Sequence, residues 1–368
     1  MKLHSKILLY IILFIAVILT AAIPVKDNSQ PKTGFWAMEG TLTVHNYEDE
    51  TDPLSGPEIY ELRDDKGLTI WFGRYIFRDV CLSGQCNMIR LWLFWDGVGN
   101  YLGMQIPDNE PLTKSDHSEF EGDDYEKLDN ILRDTSSILK NLRQEDLVII
   151  PDTIDPYNID GYTAATQPTL AKSVVKDAVF TCYTLWHAVY GPIQTKIFHI
   201  LEERISKEYL ENLFASNKEN YIKWAIKSIT THEEFHTEFY PEILNLVNAN
   251  NDDLANQALD YFQPKQLTDT AIQKQLVKKM VDLDAYQKNK VIWKFIELEN
   301  VDDQVVYELL NMVANNQIES MSYNYILRLI HRDQLKNNEK IIHLLHTLVK
   351  HENPYIKNLT RQILNDNQ

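Results

Sequence analysis

Residues 160–190 read DGYTAATQPTLAKSVVKDAVFTCYTLWHAVY, and the chain changes character across them. Upstream lie short runs of aromatic and β-branched residues broken by Gly, Pro and Asp; downstream, strand signals give way to helical periodicity. Within the stretch, Val174, Val175, Ala178, Val179, Cys182, Leu185, Trp186 and Val189 recur at helical spacing. They predict one long helix from Thr169 to Tyr190, with Pro168 near its first turn and Gly191-Pro192 closing it. Thr166 then falls just outside a helix N-terminus, where unpaired N–H groups and the helix dipole suit a phosphate.

Working upstream, MIRLWLFWDGVGNYLGMQIP (88–107) gives the clearest hairpin, two apolar runs around Asp96-Gly97-Val98-Gly99-Asn100. GLTIWFGRYIFRDV (67–80) and the alternating Leu42-Thr43-Val44-His45 predict further strands, while EDETDPLSGPE (48–58) reads as a loop. An acidic loop precedes a helix predicted over Asp124–Leu142, and DLVIIPDTIDPYNI (146–159) predicts a short strand and a turn. Downstream of about Gln194, helices recur in pairs with steps of roughly 33–36 residues. Ala225, Ala258, Ile326 and Leu359, with Trp293 between, occupy comparable places, and Ile243, Leu276, Leu309 and Leu345 recur in the intervening helices. The expected fold is α+β: a small sheet-and-helix domain over 24–193, followed by an all-α solenoid of HEAT-like repeats over 194–368.

The first residues read as a signal peptide (1–23), with Lys2 and Lys6 before the apolar run Ile7–Ala22 and small residues at Thr20-Ala21-Ala22. An uncleaved N-terminal anchor is the alternative and would be the chain's one link to a membrane. Either way the body is exported, to the periplasm or the outer face of the cell membrane. The net charge of −17 argues against nucleic-acid binding, which needs a basic face. Of the three cysteines, Cys81 and Cys86 flank a Ser-Gly turn and read as a local disulfide, with a metal or redox pair as the rival; Cys182 reads as a buried free thiol.

The heptapeptide Asp160-Gly161-Tyr162-Thr163-Ala164-Ala165-Thr166 resembles the acceptor signature of the covalently flavinylated FMN-binding domain family. The resemblance extends over about residues 85–190 and includes the Gly-containing hairpin. It implies FMN joined through its phosphate to Thr166, with Asp160, Gly161, Thr163, Ala164 and Ala165 forming the acceptor loop. It also implies a flavin transferase as modifying partner. The acidic Pro-Gly loop that often follows the hairpin in that family is here Glu110-Pro111-Leu112-Thr113-Lys114. On this reading the protein is an exported electron-transfer flavoprotein, serving an envelope redox partner and docking a protein through its helical repeats. Trp186, His187 and His117 are secondary candidates near the flavin; a satisfied helix histidine and a solvated loop histidine are the plain readings of the last two.

Two rival functions come from other classes. One is an envelope scaffold whose FMN-like domain is structural. The other is a zinc peptidase built on His232-Glu233-Glu234-Phe235-His236, where two His at i and i+4 would bind zinc and Glu233 would be the base. Against it, Glu234 is charged where an apolar residue is usual, and Thr230-Thr231 read as a cap that puts His232 in a first helical turn. The sequence contains no Gly-rich nucleotide loop, Ser-nucleophile elbow or C-x-x-C-H haem site.

Overall fold

A computed structural model describes residues 34–49, 52, 54–80, 87–149, 165–166 and 168–366. They divide into two compact units, with the boundary between Ala215 and Ser216. The boundary falls later than the break expected at 193/194, so two helices assigned from sequence to the repeats belong with the sheet.

The first unit is built on a five-stranded antiparallel meander: β1 (Thr41–Asn46), β2 (Glu58–Arg63), β3 (Thr69–Arg78), β4 (Ile89–Asp96) and β5 (Tyr101–Gln105). The β4–β5 hairpin forms as its sequence predicts. Asp96 Oδ1 accepts from the N–H groups of Val98 and Asn100, and Gly99 takes φ +85°. A Cβ there would lie 2.6 Å from the Phe198 ring, so both conformation and space demand glycine. Side chains alternate between the faces. One face buries Phe72, Ile76, Leu91, Leu93 and Trp95. The other carries Leu62, Trp71 and Phe94, with Phe35 and Trp36 of a 3-10 turn (Gly34–Ala37) packed on them.

β2 has no apolar alternation to announce it, because Glu58, Glu61 and Arg63 punctuate it. Glu61 nevertheless is completely buried. Its carboxylate accepts from Arg204 through both guanidinium ends, Nη2 at 2.6 Å, and from Thr69 Oγ1 at 2.5 Å, with His45 Nε2 2.7 Å away. A buried charge is tolerable only when paired and hydrogen-bonded, and here every approach to the carboxylate is used. Burial alone would raise the Glu61 pKa; the hydrogen bonds from Arg204 and His45 outweigh it and hold the group at about 2.

Helix α1 spans Gly122–Arg133 and stops well before Leu142. Asp134 accepts from Ser136, and Ser137 caps a separate 3-10 turn at Ile138–Asn141, so the Asp-Thr-Ser-Ser run is a break. Strands β6 (Val148–Ile149) and β7 (Ala165–Thr166) pair antiparallel, Val148 opposite Thr166. Helix α2 spans Val179–Val189, ten residues later than the predicted start at Thr169. Residues 168–177 are turns. Val174 and Val175 are buried as expected of them, but as plugs in a loop, and the Val175 N–H donates to Cys182 Sγ at 3.4 Å. Trp95 and Trp186 donate their indole N–H groups to Val189 O and Asp134 O, tying α2 to the sheet and to the end of α1. Helices α3 (Pro192–Glu202) and α4 (Lys207–Ala215) complete the unit.

The second unit is helical throughout: α5 (Glu219–Thr231), α6 (His236–Leu246), α7 (Asp252–Tyr261), α8 (Pro264–Leu267), α9 (Thr270–Lys279), α10 (Ala285–Ile296), α11 (Asp303–Ala314), α12 (Tyr323–Leu327), α13 (Arg332–Asn337), α14 (Glu339–Leu348) and α15 (Pro354–Asn365). Ala225, Ala258, Ile326, Ile243, Leu276, Leu309 and Leu345 are all fully buried. Two of the recurring positions are not: Leu359 is half-buried beside the buried Ile356 and Thr360, and Trp293 is 46% exposed beside the buried Ile292. Side-chain bonds recur at nearly constant separation: Gln257 to Lys223 O, Lys290 to Asn256 O, Ser322 to Asn289, Gln334 to Asp303, and Tyr323 to Thr360 are 31–37 residues apart. Among the described residues, no helix is long and apolar enough to cross a membrane.

Candidate functional site

Of the heptapeptide, Asp160, Gly161, Tyr162, Thr163 and Ala164 lie outside the described residues, as do Cys81 and Cys86 and the N-terminal segment. Ala165 and Thr166 form β7. Thr166 is half-buried and lines a small cleft of about 30 Å³ with Lys114, Ser115, Val179, Phe180 and Thr181. A helix N-terminus therefore does face Thr166, but it is brought there by folding and begins at Val179, not three residues on in sequence.

The elements around the cleft are held by specific bonds. Thr113 bridges Glu119, and Lys114 N donates to Ser118 O at 2.8 Å, closing a tight loop with His117 exposed at its tip in a left-handed conformation. Ser115 N donates to the carbonyl of Asp177, itself at φ +56°, which docks this loop onto the turn before α2. The first intrahelical bond of α2 is Cys182 N to Ala178 O. The N–H groups of Val179, Phe180 and Thr181 thus precede the helical ladder, and the residue at the cap position, Ala178, has no side-chain acceptor to offer them. Val179 and Thr181 are buried. Lys114 supplies the cation of the cleft; its Nζ sits 2.7 Å from Asp124 Oδ2, whose hydrogen bond raises the lysine pKa. Backbone donors, a helix dipole and an ammonium around a hydroxyl suit an anion, although the ammonium is shared with Asp124 and Asp177 also lines the cleft. The volume is enough for a small group such as a phosphate oxygen or a water; it does not enclose a tricyclic ring.

The secondary candidates separate. His187 is half-buried against Tyr183 and Trp186, with Nε2 3.1 Å from Leu139 O, and burial lowers its pKa. Neither it nor His117 lines the cleft. Cys182 is a buried free thiol, pushed up to about 12 by burial.

The zinc-like run is not on one helix. His232 ends α5 with Nδ1 2.9 Å from Ser228 O, Glu233–Phe235 is a 3-10 turn, and His236 opens α6. Thr230 and Thr231 are the last turn of α5, bonded back to Ile226 O and Ser228 O, and do not cap a following helix. Glu233 is paired with Lys265, which lowers its pKa. Among the described residues no group of three or more His, Cys, Asp or Glu side chains is arranged to hold a metal ion.

Sequence reasoning missed Lys114 as a neighbour of Thr166. The one signal was a lone cation in the acid-rich run from Asp108 to Asp124. No protein-family model matches the chain, and comparisons with curated proteins and with solved structures give no match.

Proposed function

We propose that this is an exported flavoprotein that carries FMN covalently on Thr166 and passes electrons to or from a redox partner of the cell envelope. The observation that supports it is the setting of the Thr166 hydroxyl: half-buried, in a cleft with Lys114 and the uncapped first turn of α2. Those are the groups a phosphoester needs, since backbone donors and an ammonium offset its negative charge. Lys114 and the N–H groups of Val179, Phe180 and Thr181 would hold the phosphate end. FMN, when bound, supplies the redox chemistry; the chain supplies placement. Attachment requires a flavin transferase that moves the whole FMN phosphoryl unit from a flavin–nucleotide pyrophosphate to Thr166 Oγ1: the new P–O bond forms as the P–O–P bond breaks, the hydroxyl proton is lost and the nucleoside monophosphate leaves.

The helices after Ser216 are read as a HEAT-like solenoid that docks a protein partner. The nearly constant separation of their cross-helix bonds supports this reading.

The test is intact mass of the full chain secreted from a host that possesses the flavin transferase. The expected result is an added mass of FMN less water, with yellow colour that survives denaturation, both lost in Thr166→Ala while the circular dichroism spectrum is retained. An unmodified wild-type chain from that host overturns the reading.

A further inference from the structure

The geometry points to a binding site for a quaternary ammonium ion on the sheet face that carries Trp92. A cleft of about 510 Å³ opens there, and it shares no lining residue with the cleft at Thr166. Tyr75, Trp92 and Gln105 are cross-strand neighbours in one row over β3, β4 and β5. Tyr60 joins them from β2. The three rings are half-buried, so each gives part of its surface to the cleft and part to the core.

Trp92 is the centre of the arrangement. Tyr60 stands against it at 5.5 Å and 75°, and Tyr75 at 5.4 Å and 53°. Trp36 packs edge-on at 4.8 Å and fixes the indole plane. Rings set at steep angles make a corner rather than a flat platform. The face of an aromatic ring attracts a cation, and Tyr60, Tyr75 and Trp92 all line this one cleft.

The charges in the cleft have one sign. Glu58 and Asp108 line it, with no Lys or Arg among the lining residues. Neither carboxylate makes an ion pair among the described residues. The Tyr75 hydroxyl is engaged by Glu110, whose charge is already met by Arg90 at 3.6 Å, outside the cleft lining. Arg74, the next residue along β3, points by strand alternation to the other face and is completely buried; its guanidinium donates to the Glu58 carbonyl at 3.4 Å, so it meets Glu58 from behind and does not enter the cleft. The remaining walls, Leu54, Ile106 and Pro107, are apolar.

A mixed aromatic, aliphatic and acidic lining selects among cations. A primary ammonium is compact and strongly hydrated, and apolar walls would not replace its water. A methylated ammonium sheds water readily, gives its methyl groups to the rings and aliphatic walls, and keeps its charge for Glu58 and Asp108. The ligand class is therefore a choline-like quaternary amine, free or as a lipid headgroup.

Isothermal titration of the full chain with choline chloride, and with its neutral isostere 3,3-dimethylbutan-1-ol, tests the assignment. Choline is expected to bind, and the neutral alcohol to bind about twofold to thirtyfold more weakly, the range that a cation–π contribution of about 0.5–2 kcal/mol gives. Glu58→Gln, a half-buried position at the cleft, and Trp92→Leu should each weaken choline with the circular dichroism spectrum unchanged. Co-sedimentation with phosphatidylcholine vesicles, lost in Glu58→Gln, would assign the site to a headgroup; free choline binding without co-sedimentation assigns it to a soluble ligand. The inference is overturned by absence of binding in both arms, by equal affinity for choline and the alcohol, or by choline affinity unchanged in both variants.

Discussion

The sheet unit is closed by contacts between residues 94, 95 and 143 positions apart in the chain, Trp95 with Val189, Gln194 with Gly99, and Arg204 with Glu61. The helical unit is closed by contacts 31–37 positions apart, repeated from one end to the other. In the first, one missing partner opens a structure whose other contacts depend on it. In the second, the contacts that are closed lie nearer in sequence, so damage to one of them is expected to stay more local. The sheet unit brings Lys114, Thr166 and Val179 to one cleft from three separate parts of the chain.

The sharpest way to break this contrast is Arg204→Leu. It leaves Glu61 buried without its main partner, a change that costs about 3–5 kcal/mol in buried pairs. The Arg204 side chain is 21% exposed, which places the expected loss at the lower end of that range. Urea denaturation should show one early transition for the sheet unit and an unmoved transition for the helical unit. A single shared transition that shifts as a whole would defeat the division.

Acid gives the next effect. Glu61 is held at about 2 in the folded chain, against an ordinary 4.5. A lowered folded pKa means that its stabilisation is complete above about pH 4.5 and drains as pH falls from there toward 2. Fluorescence and far-ultraviolet circular dichroism across this window should show the aromatic-rich sheet unit losing stability first. In Glu61→Gln, already weaker at neutral pH, the acid-dependent part should disappear.

The smallest of the three effects belongs to the helical unit. Thr360 is fully buried and its hydroxyl meets Tyr323 OH at 2.7 Å. Thr360→Val leaves the tyrosine hydroxyl without that partner, a cost of about 1–3 kcal/mol. Hydrogen exchange should quicken in α12 and α15 and stay unchanged in α5–α7. Uniform quickening would show the repeats to be one cooperative block.

What the sequence disclosed, and what it hid, follows the same line between near and far. The β4–β5 hairpin was legible because its turn chemistry and both apolar runs lie within eighteen residues, 89–106. The all-helical character after the sheet unit was legible because apolar residues there recur at helical spacing and are buried, as at Ala225, Ala258 and Leu309. Strand β2 was missed because Glu61 looks like a surface residue until Arg204 arrives from far along the chain. The start of α2 was misplaced because Val174 and Val175 carry helical spacing for reasons of packing, while Ser173 and Asp177 favour turns. The helix N-terminus expected directly after Thr166 is instead that of a helix beginning at Val179, and the loop holding Lys114 was not foreseen, since its bond to Asp177 joins residues 62 positions apart.

The Glu61–Arg204 pair also sets a timetable. A ribosome adds roughly 5–20 residues each second, so Arg204 follows Glu61 out by on the order of 7–30 s, given the 143 positions between them. Until then the central strands carry a carboxylate that cannot be buried alone, and the half-made sheet has reason to stay open. The residue that locks the sheet unit is thus among the last of that unit to appear.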